Sequence, residues 1–313
     1  MAADRDVPPA VPASPAEAAP APTHAAAAAT SAPLGPTPAL DSASALTIWL
    51  AGPAARPLFT PQAQSTDDLT RWRDIVNTRK REEWEISRAL LEHVRAQMGA
   101  PRHGGASRAA VVAARTDAAD GGGDSGDGAL LRAGRSGQRV RVESAAPRAP
   151  AGVALSLSHS GGHSAAAASR VAVRVGVDVE CERPRDLARI GRFAFAARES
   201  AQLEALAAAD ARVERFYILW TLKEAFAKAL SLPLLASLRQ CTFSEDGGAW
   251  RGSVPTANAW LAQTFRPSPT LVLSVVALLP EHISPENFSL STHEWPTPAA
   301  SPWRTLATLR SDA

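Results

Sequence analysis

Several residue types are scarce in this chain. Among 313 residues there are two cysteines, two methionines and one tyrosine, and aromatic side chains make up 5%. Cys181 and Cys241 match no metal spacing and no disulfide framework, so disulfide-held secreted scaffolds drop out and a reducing cytosol fits. No stretch offers the roughly 18 or more uninterrupted, strongly apolar residues of a membrane span. Charge of one sign is lacking too, since 33 Lys+Arg against 31 Asp+Glu leave +2. That excludes a nucleic-acid binder working through bulk positive charge, but not a local basic pocket. A hydrophobic fraction of 45%, much of it alanine, is enough for a core.

What is present is unevenly spread. Residues 1–43 are clusters of Ala and Pro with Asp4, Asp6 and Glu17 among them, which predicts a disordered tail. No compact apolar run stands behind a basic start, so the tail is not a secretory signal. The fold is predicted to begin with a strand at Ala45-Leu46-Thr47-Ile48-Trp49-Leu50, stopped by Gly52-Pro53. Ser65-Thr66-Asp67-Asp68 is an N-cap cluster ahead of a helical stretch with Leu69, Trp72, Ile75 and Val76 on one stripe. A second helical run, RKREEWEISRALLEHVRAQM, carries Trp84, Ile86, Leu90, Leu91 and Val94 and stops at Gly99. From about 99 to 137 the chain is a Gly-rich insertion. Its glycines form no phosphate loop, because no Gly-Lys-Ser/Thr follows and no apolar strand precedes. The resulting division is an N-terminal half at 44–150, a C-terminal half at 151–280, and a loosely packed Pro/Ser/Thr-rich extension at 281–313.

Within the second half, RVAVRVGVDVE at 170–180 alternates with period two. Val171, Val173, Val175, Val177 and Val179 fall on one face, and Gly176, Asp178 and Glu180 on the other. A hairpin turn near Arg170 to Arg174 would shorten this strand and leave its last five residues unchanged. Arg198–Ala209 and Arg212–Leu230 are predicted helices, and Leu271–Leu278 a closing strand.

Two short segments carry chemistry. Asp178 and Glu180 at i and i+2 of a strand point the same way, roughly 6–7 Å apart. Like charges that close repel unless a cation sits between them, and hard oxygen ligands suit Mg²⁺. A solvated acidic edge strand has the same pattern. Gly176 would clear space beside the carboxylates. On the helix, Phe216, Leu219, Leu222, Phe226 and Leu230 make a buried stripe, with Glu224 and Lys228 four apart on the other side. A surface ion pair worth about 0.2–0.5 kcal/mol has that spacing too. Lys223 falls at the border of the stripe, with its head expected at a pocket rim.

Taken together, Ser158-His159-Ser160, Gly176-Val177-Asp178-Val179-Glu180 and Trp220 with Lys223, Glu224 and Lys228 resemble the 4′-phosphopantetheinyl transferase superfamily. The resemblance covers about 155–235, with Leu271–Leu278 similar to the family's last strand and REEWEISRALL to its first-half helix. Two family turns are missing. Arg148 in Ala-Pro-Arg-Ala-Pro is the nearest substitute for a Gly-Lys-Pro turn, and Ala229-Leu230-Ser231 follows Lys228 where a Gly-Lys-Gly-like turn is usual. The resemblance implies an α+β fold of two pseudo-twofold-related halves in one chain, a cytoplasmic monomer. It implies transfer of 4′-phosphopantetheine from coenzyme A to a serine of an apo acyl, peptidyl or aryl carrier protein, without nucleic acid or membrane. Asp178, Glu180 and Glu224 would hold Mg²⁺, and Lys228 would meet the leaving phosphate. Glu224 or a metal-bound water would accept the serine proton, with Glu199 as a secondary base. Ser158, His159, Arg81, Arg88 and Lys223 would contact coenzyme A, whereas His163 would be structural.

Overall fold

Leu46–Ala51 (β1) is buried along its whole length, as a strand covered on both faces must be. The structure, a computed structural model, describes residues 45–99, 149–298 and 301–311. The tail of 1–43, Arg148 and all of the Gly-rich insertion beyond Gly99 lie outside the described residues. β1 pairs antiparallel with His163–Ser169 (β3), which pairs with Ala154–Ser160 (β2), and parallel with Leu290–Trp295 (β9). Sheet A therefore has the order β2-β3-β1-β9. Sheet B has the order β10-β7-β8-β4, built from Arg174–Cys181 (β4), Trp260–Ser268 (β7), Leu271–Leu278 (β8) and Arg304–Arg310 (β10).

The two sheets pack face to face. Leu46, Ile48 and Leu50 of β1 with Ala165 and Ala167 of β3 share a core with Val175, Val177 and Val179 of β4 and with alternate residues of β8. The outer face of sheet A carries the helix Thr78–Gln97 (α2), whose Ile86, Leu90, Leu91 and Val94 meet Trp49, Ala51, Ala166 and Ala168. The outer face of sheet B carries Ala209–Leu230 (α5). Alanine is a poor strand former, yet the run Ala165–Ala168 is a fully buried strand. Its small side chains let layers approach from both faces, and packing overrides propensity. In both sheets the order is strand, long helix, then a hairpin whose second strand pairs with the first.

The structure differs from the sequence reading at several places. Of the two readings of 170–180 the shortened strand is the one found: it begins at Arg174, and Val171 and Val173 are exposed in the preceding turn. β2 and β3, placed by sequence in the second half, complete sheet A, so the first layer extends to Ser169. The stripe on Thr66–Asp74 (α1) is not buried: Val76 is 92% exposed just beyond the helix. The C-terminal extension is not loose. It adds β9 to sheet A and β10 to sheet B, and it buries Phe288, Trp303, Ala307 and Leu309.

α5 is also buried nearly all round rather than along one stripe. Sheet B covers one side. Leu187–Ala194 (α3), Ala197–Glu204 (α4), Leu234–Gln240 (α6) and the hairpin of Thr242–Asp246 (β5) with Ala249–Ser253 (β6) cover the rest. No helix among the described residues is long and apolar enough to cross a membrane.

Candidate metal centre

The site begins with a missing side chain. A Cβ on Gly176 would fall 2.0 Å from the Ala225 carbonyl oxygen and 2.8 Å from the Ala229 amide nitrogen. The glycine thus admits the backbone of α5 onto β4, rather than opening room beside the carboxylates. Residues two apart on a strand share a face, so Gly176, Asp178 and Glu180 all front the helix. Ala225 lies directly after Glu224, and Lys228 follows one turn later. The contact at Gly176 therefore sets the height of both above the strand.

Carboxylate oxygens of Asp178, Glu180 and Glu224 lie within 4.8 Å of one another. Lys228 Nζ donates to Asp178 Oδ1 at 2.9 Å and to the Val177 carbonyl at 2.9 Å. Its partner is a strand carboxylate fifty residues away, and the two side chains are 11% and 3% exposed. The reading of Glu224 and Lys228 as a surface pair does not hold. Ser158 Oγ donates to Asp178 Oδ1 at 2.8 Å, and Ser160 Oγ to Glu180 Oε2 at 2.9 Å.

One lysine cannot offset three acids held this closely. Burial first, and Asp178 second, push the Glu180 carboxyl up to about 7. The same two causes raise Glu224 well above the ordinary carboxylate range, with Lys228 pulling the other way. Asp178 Oδ2 is buried without a hydrogen-bond partner. Three hard oxygen donors, one of them orphaned, fit a divalent cation such as Mg²⁺.

The remaining predicted residues are placed differently. His159 lies on the opposite face of β2 from Ser158, exposed, with Nδ1 3.8 Å from Glu83 Oε2 of α2. Arg81 donates through Nε and Nη2 to the Ile75 carbonyl at 3.1 and 2.6 Å. Arg88 is buried, ion-paired with Asp68 at 2.8 Å and stacked 4.7 Å from the Trp84 ring, and burial lowers its pKa. Lys223 is not at a rim. It is fully buried, 2.9 Å from Glu199, and donates to the carbonyls of Leu238 (2.9 Å) and Cys241. On a helix covered all round, the border of a stripe is interior, and burial lowers this ammonium's pKa despite Glu199.

Glu199 has both oxygens engaged. Oε1 accepts from Phe243 N and Oε2 from Ala196 N, each at 2.7 Å, so with Lys223 it clasps α4, α5 and β5 together. His163 Nδ1 lies 3.2 Å from the Gly161 carbonyl in the β2–β3 turn. Where the family's glycine turn is missing, Ser231 caps α5 in the left-handed region at φ 57°, with Oγ accepting from Arg174 at 2.7 Å. Sequence reasoning missed Ser160 as a carboxylate partner and Glu83 beside His159. Serine at every second position of SLSHS, residues 156–160, was the available signal for the first. The hollow near the start of α5 includes none of these residues, and its Arg266 pairs with Glu182 and Glu214.

Fold and site together define an α+β protein in which helix-on-strand contact gathers oxygen donors and one lysine. Residues 174–267, from β4 into β7, match the family model of the 4′-phosphopantetheinyl transferase superfamily. No curated protein matches the chain. The matched stretch contains Asp178, Glu180, Glu224 and Lys228, and it supports phosphopantetheinyl transfer as the general class of activity.

Proposed function

We propose that the protein transfers 4′-phosphopantetheine from coenzyme A to a serine of an apo acyl, peptidyl or aryl carrier protein, with Mg²⁺, releasing adenosine 3′,5′-bisphosphate. The observation that carries this is the convergence of Asp178, Glu180 and Glu224 within 4.8 Å, with Lys228 on Asp178, inside the matched stretch. The repeated order of strand, long helix and hairpin supports two pseudo-twofold-related halves with coenzyme A between them.

Attack of a serine hydroxyl on the pyrophosphate of coenzyme A gathers negative charge on the equatorial and leaving oxygens. Mg²⁺ held by Asp178, Glu180 and Glu224 would supply neutralisation of that charge. Lys228 stabilises or protonates the leaving phosphate from its place beside Asp178. Glu224, beside Asp178 and Glu180, accepts the serine proton. His159, exposed at the end of β2, is the contact for the 3′-phosphate, with Arg81 supplying charge. Arg88 and Lys223, each buried in an ion pair, belong to the frame around the site.

Mass spectrometry of apo carrier protein incubated with coenzyme A, Mg²⁺ and this protein tests the proposal. The expected result is a phosphopantetheine adduct on the carrier serine that chelation of Mg²⁺ prevents. Cleavage of coenzyme A without carrier would instead reveal a pyrophosphate hydrolase. Coenzyme A binding with no adduct on any of the three carrier types would reveal a catalytically silent member.

A further inference from the structure

Sheet B ends at β4, and among the described residues no strand pairs with that edge. Side chains of β2, the edge strand of sheet A, meet it instead. Ser156 Oγ accepts from Val177 N at 3.0 Å, and Ser160 Oγ accepts from Cys181 N at 3.2 Å. Buried amides need an acceptor, and serines at every second position provide one without strand pairing. The ladder does more than close an edge. Ser158 Oγ donates to Asp178 and Ser160 Oγ donates to Glu180.

Ser160 has no freedom in which way its proton points. An amide N–H only donates, so the hydroxyl must accept from Cys181 and give its single proton to the carboxylate. Glu180 has three rotatable side-chain bonds and sits within 4.8 Å of two other carboxylates that repel it. With no restraint, that repulsion swings the glutamate out of the cluster. The bond from Ser160, itself fixed to main chain, restrains it.

We propose that Ser160 is a positioning residue that holds Glu180 in its metal-binding orientation, and that Ser158 does the same for Asp178. The ladder thereby ties the geometry of the metal set on sheet B to the edge of sheet A. This inference rests on the reading of Asp178, Glu180 and Glu224 as metal ligands. Loss of a hydrogen-bond partner behind a metal ligand typically weakens metal binding by about 10–100-fold.

Mn²⁺ is the probe, and its binding to the full chain is followed by electron paramagnetic resonance beside thermal unfolding in metal-free buffer. Ser160→Ala should unfold cooperatively and bind Mn²⁺ about 10-fold or more weakly than wild type. Ser160→Thr, which keeps the hydroxyl, should recover most of that loss. Should Ser160→Ala lose its cooperative transition, Ser160→Cys takes its place, because it keeps the size of serine with only a weak donor. Wild-type Mn²⁺ affinity in the variant lacking the hydroxyl, or a threonine variant no better than it, overturns the proposal. Asp178→Asn separates the two readings. If it leaves Mn²⁺ binding intact, the metal reading itself fails. If it abolishes binding while the Ser160 variants do not change it, only the positioning role fails.

Discussion

α2 lies on sheet A and α5 on sheet B after the same order of elements, but the two contacts are of opposite kind. β1 turns Trp49 and Ala51 towards α2, and the interface closes over Ile86, Leu90 and Val94. β4 turns Gly176, Asp178 and Glu180 towards α5, and there backbone meets backbone at Ala225 with acids and a lysine alongside. One half uses its helix contact for apolar burial. The other uses it to keep charged groups together away from water, which is costly unless they are paired. A shared topology therefore does not say where chemistry sits. The residues on the helix-facing side of the first strand decide it.

The strap that ends the chain serves both halves, so removing it should break the comparison altogether. A chain ending at Pro280 loses β9 beside β1, β10 beside β7, and the buried Phe288, Trp303 and Leu309. We expect no cooperative transition in circular dichroism on heating. A sharp transition near the wild-type midpoint would show that the two sheets stand without it.

The next largest effect should come from opposite changes in the two interfaces. Gly176→Ala adds one methyl where the helix backbone allows none, and it should cost about 3 kcal/mol or more. Trp49→Ala removes an indole from the other contact and should cost about 3–5 kcal/mol. Urea unfolding of both measures this. A Gly176→Ala protein within about 1 kcal/mol of wild type would mean that α5 is free to move off β4.

Lys228 sharpens the contrast between buried and surface charge. Lys228→Ala should lower kcat by about 10²-fold or more and leave coenzyme A affinity much less changed, because His159 and Arg81 remain. It should also cost a few kcal/mol rather than tenths, since Asp178 stays buried without its cation. Lys228→Arg should rescue partly, restoring charge without the compact ammonium. Turnover and thermal midpoint, measured together, test the two roles separately. A wild-type kcat would remove Lys228 from catalysis, and an unchanged midpoint would remove the buried pair.

The smallest effect concerns the strap on sheet A, where the His93 ring of α2 stacks 4.6 Å from Trp295 of β9. Burial, helped by His293, lowers His93 from 6.5 to about 4. The unfolded chain then takes up the proton more readily than the folded one. Stability from this site is full above about 6.5 and is lost as pH falls towards about 4. A shift of that size is worth about 3 kcal/mol at full burial, and because the His93 ring is only half-buried a loss on the order of 1 kcal/mol is expected across that window. His93→Phe should flatten the fall in midpoint over the same window. An identical pH profile in that variant would show that other groups carry it.

Neighbours along the chain determined a good deal unaided. Period-two valines placed Asp178 and Glu180 together on one face, and the cap at Ser65 and the stop at Gly99 bounded the first helices, because these features depend on residues only a few positions apart. The spacing of Trp220, Lys223, Glu224 and Lys228 with the Gly-x-Asp-x-Glu strand marked the site. Partners required the tertiary structure. Lys223 and Lys228 stand five residues apart on one helix, yet one is sealed against Glu199 and the other reaches Asp178. Periodicity gives the face of a helix, but not how many layers cover it. The alanines of β3 and the polar C-terminal strands lacked a strand signal of their own. They became strands because β1 and β7 offered open edges, and an edge is satisfied by whatever chain the fold brings beside it.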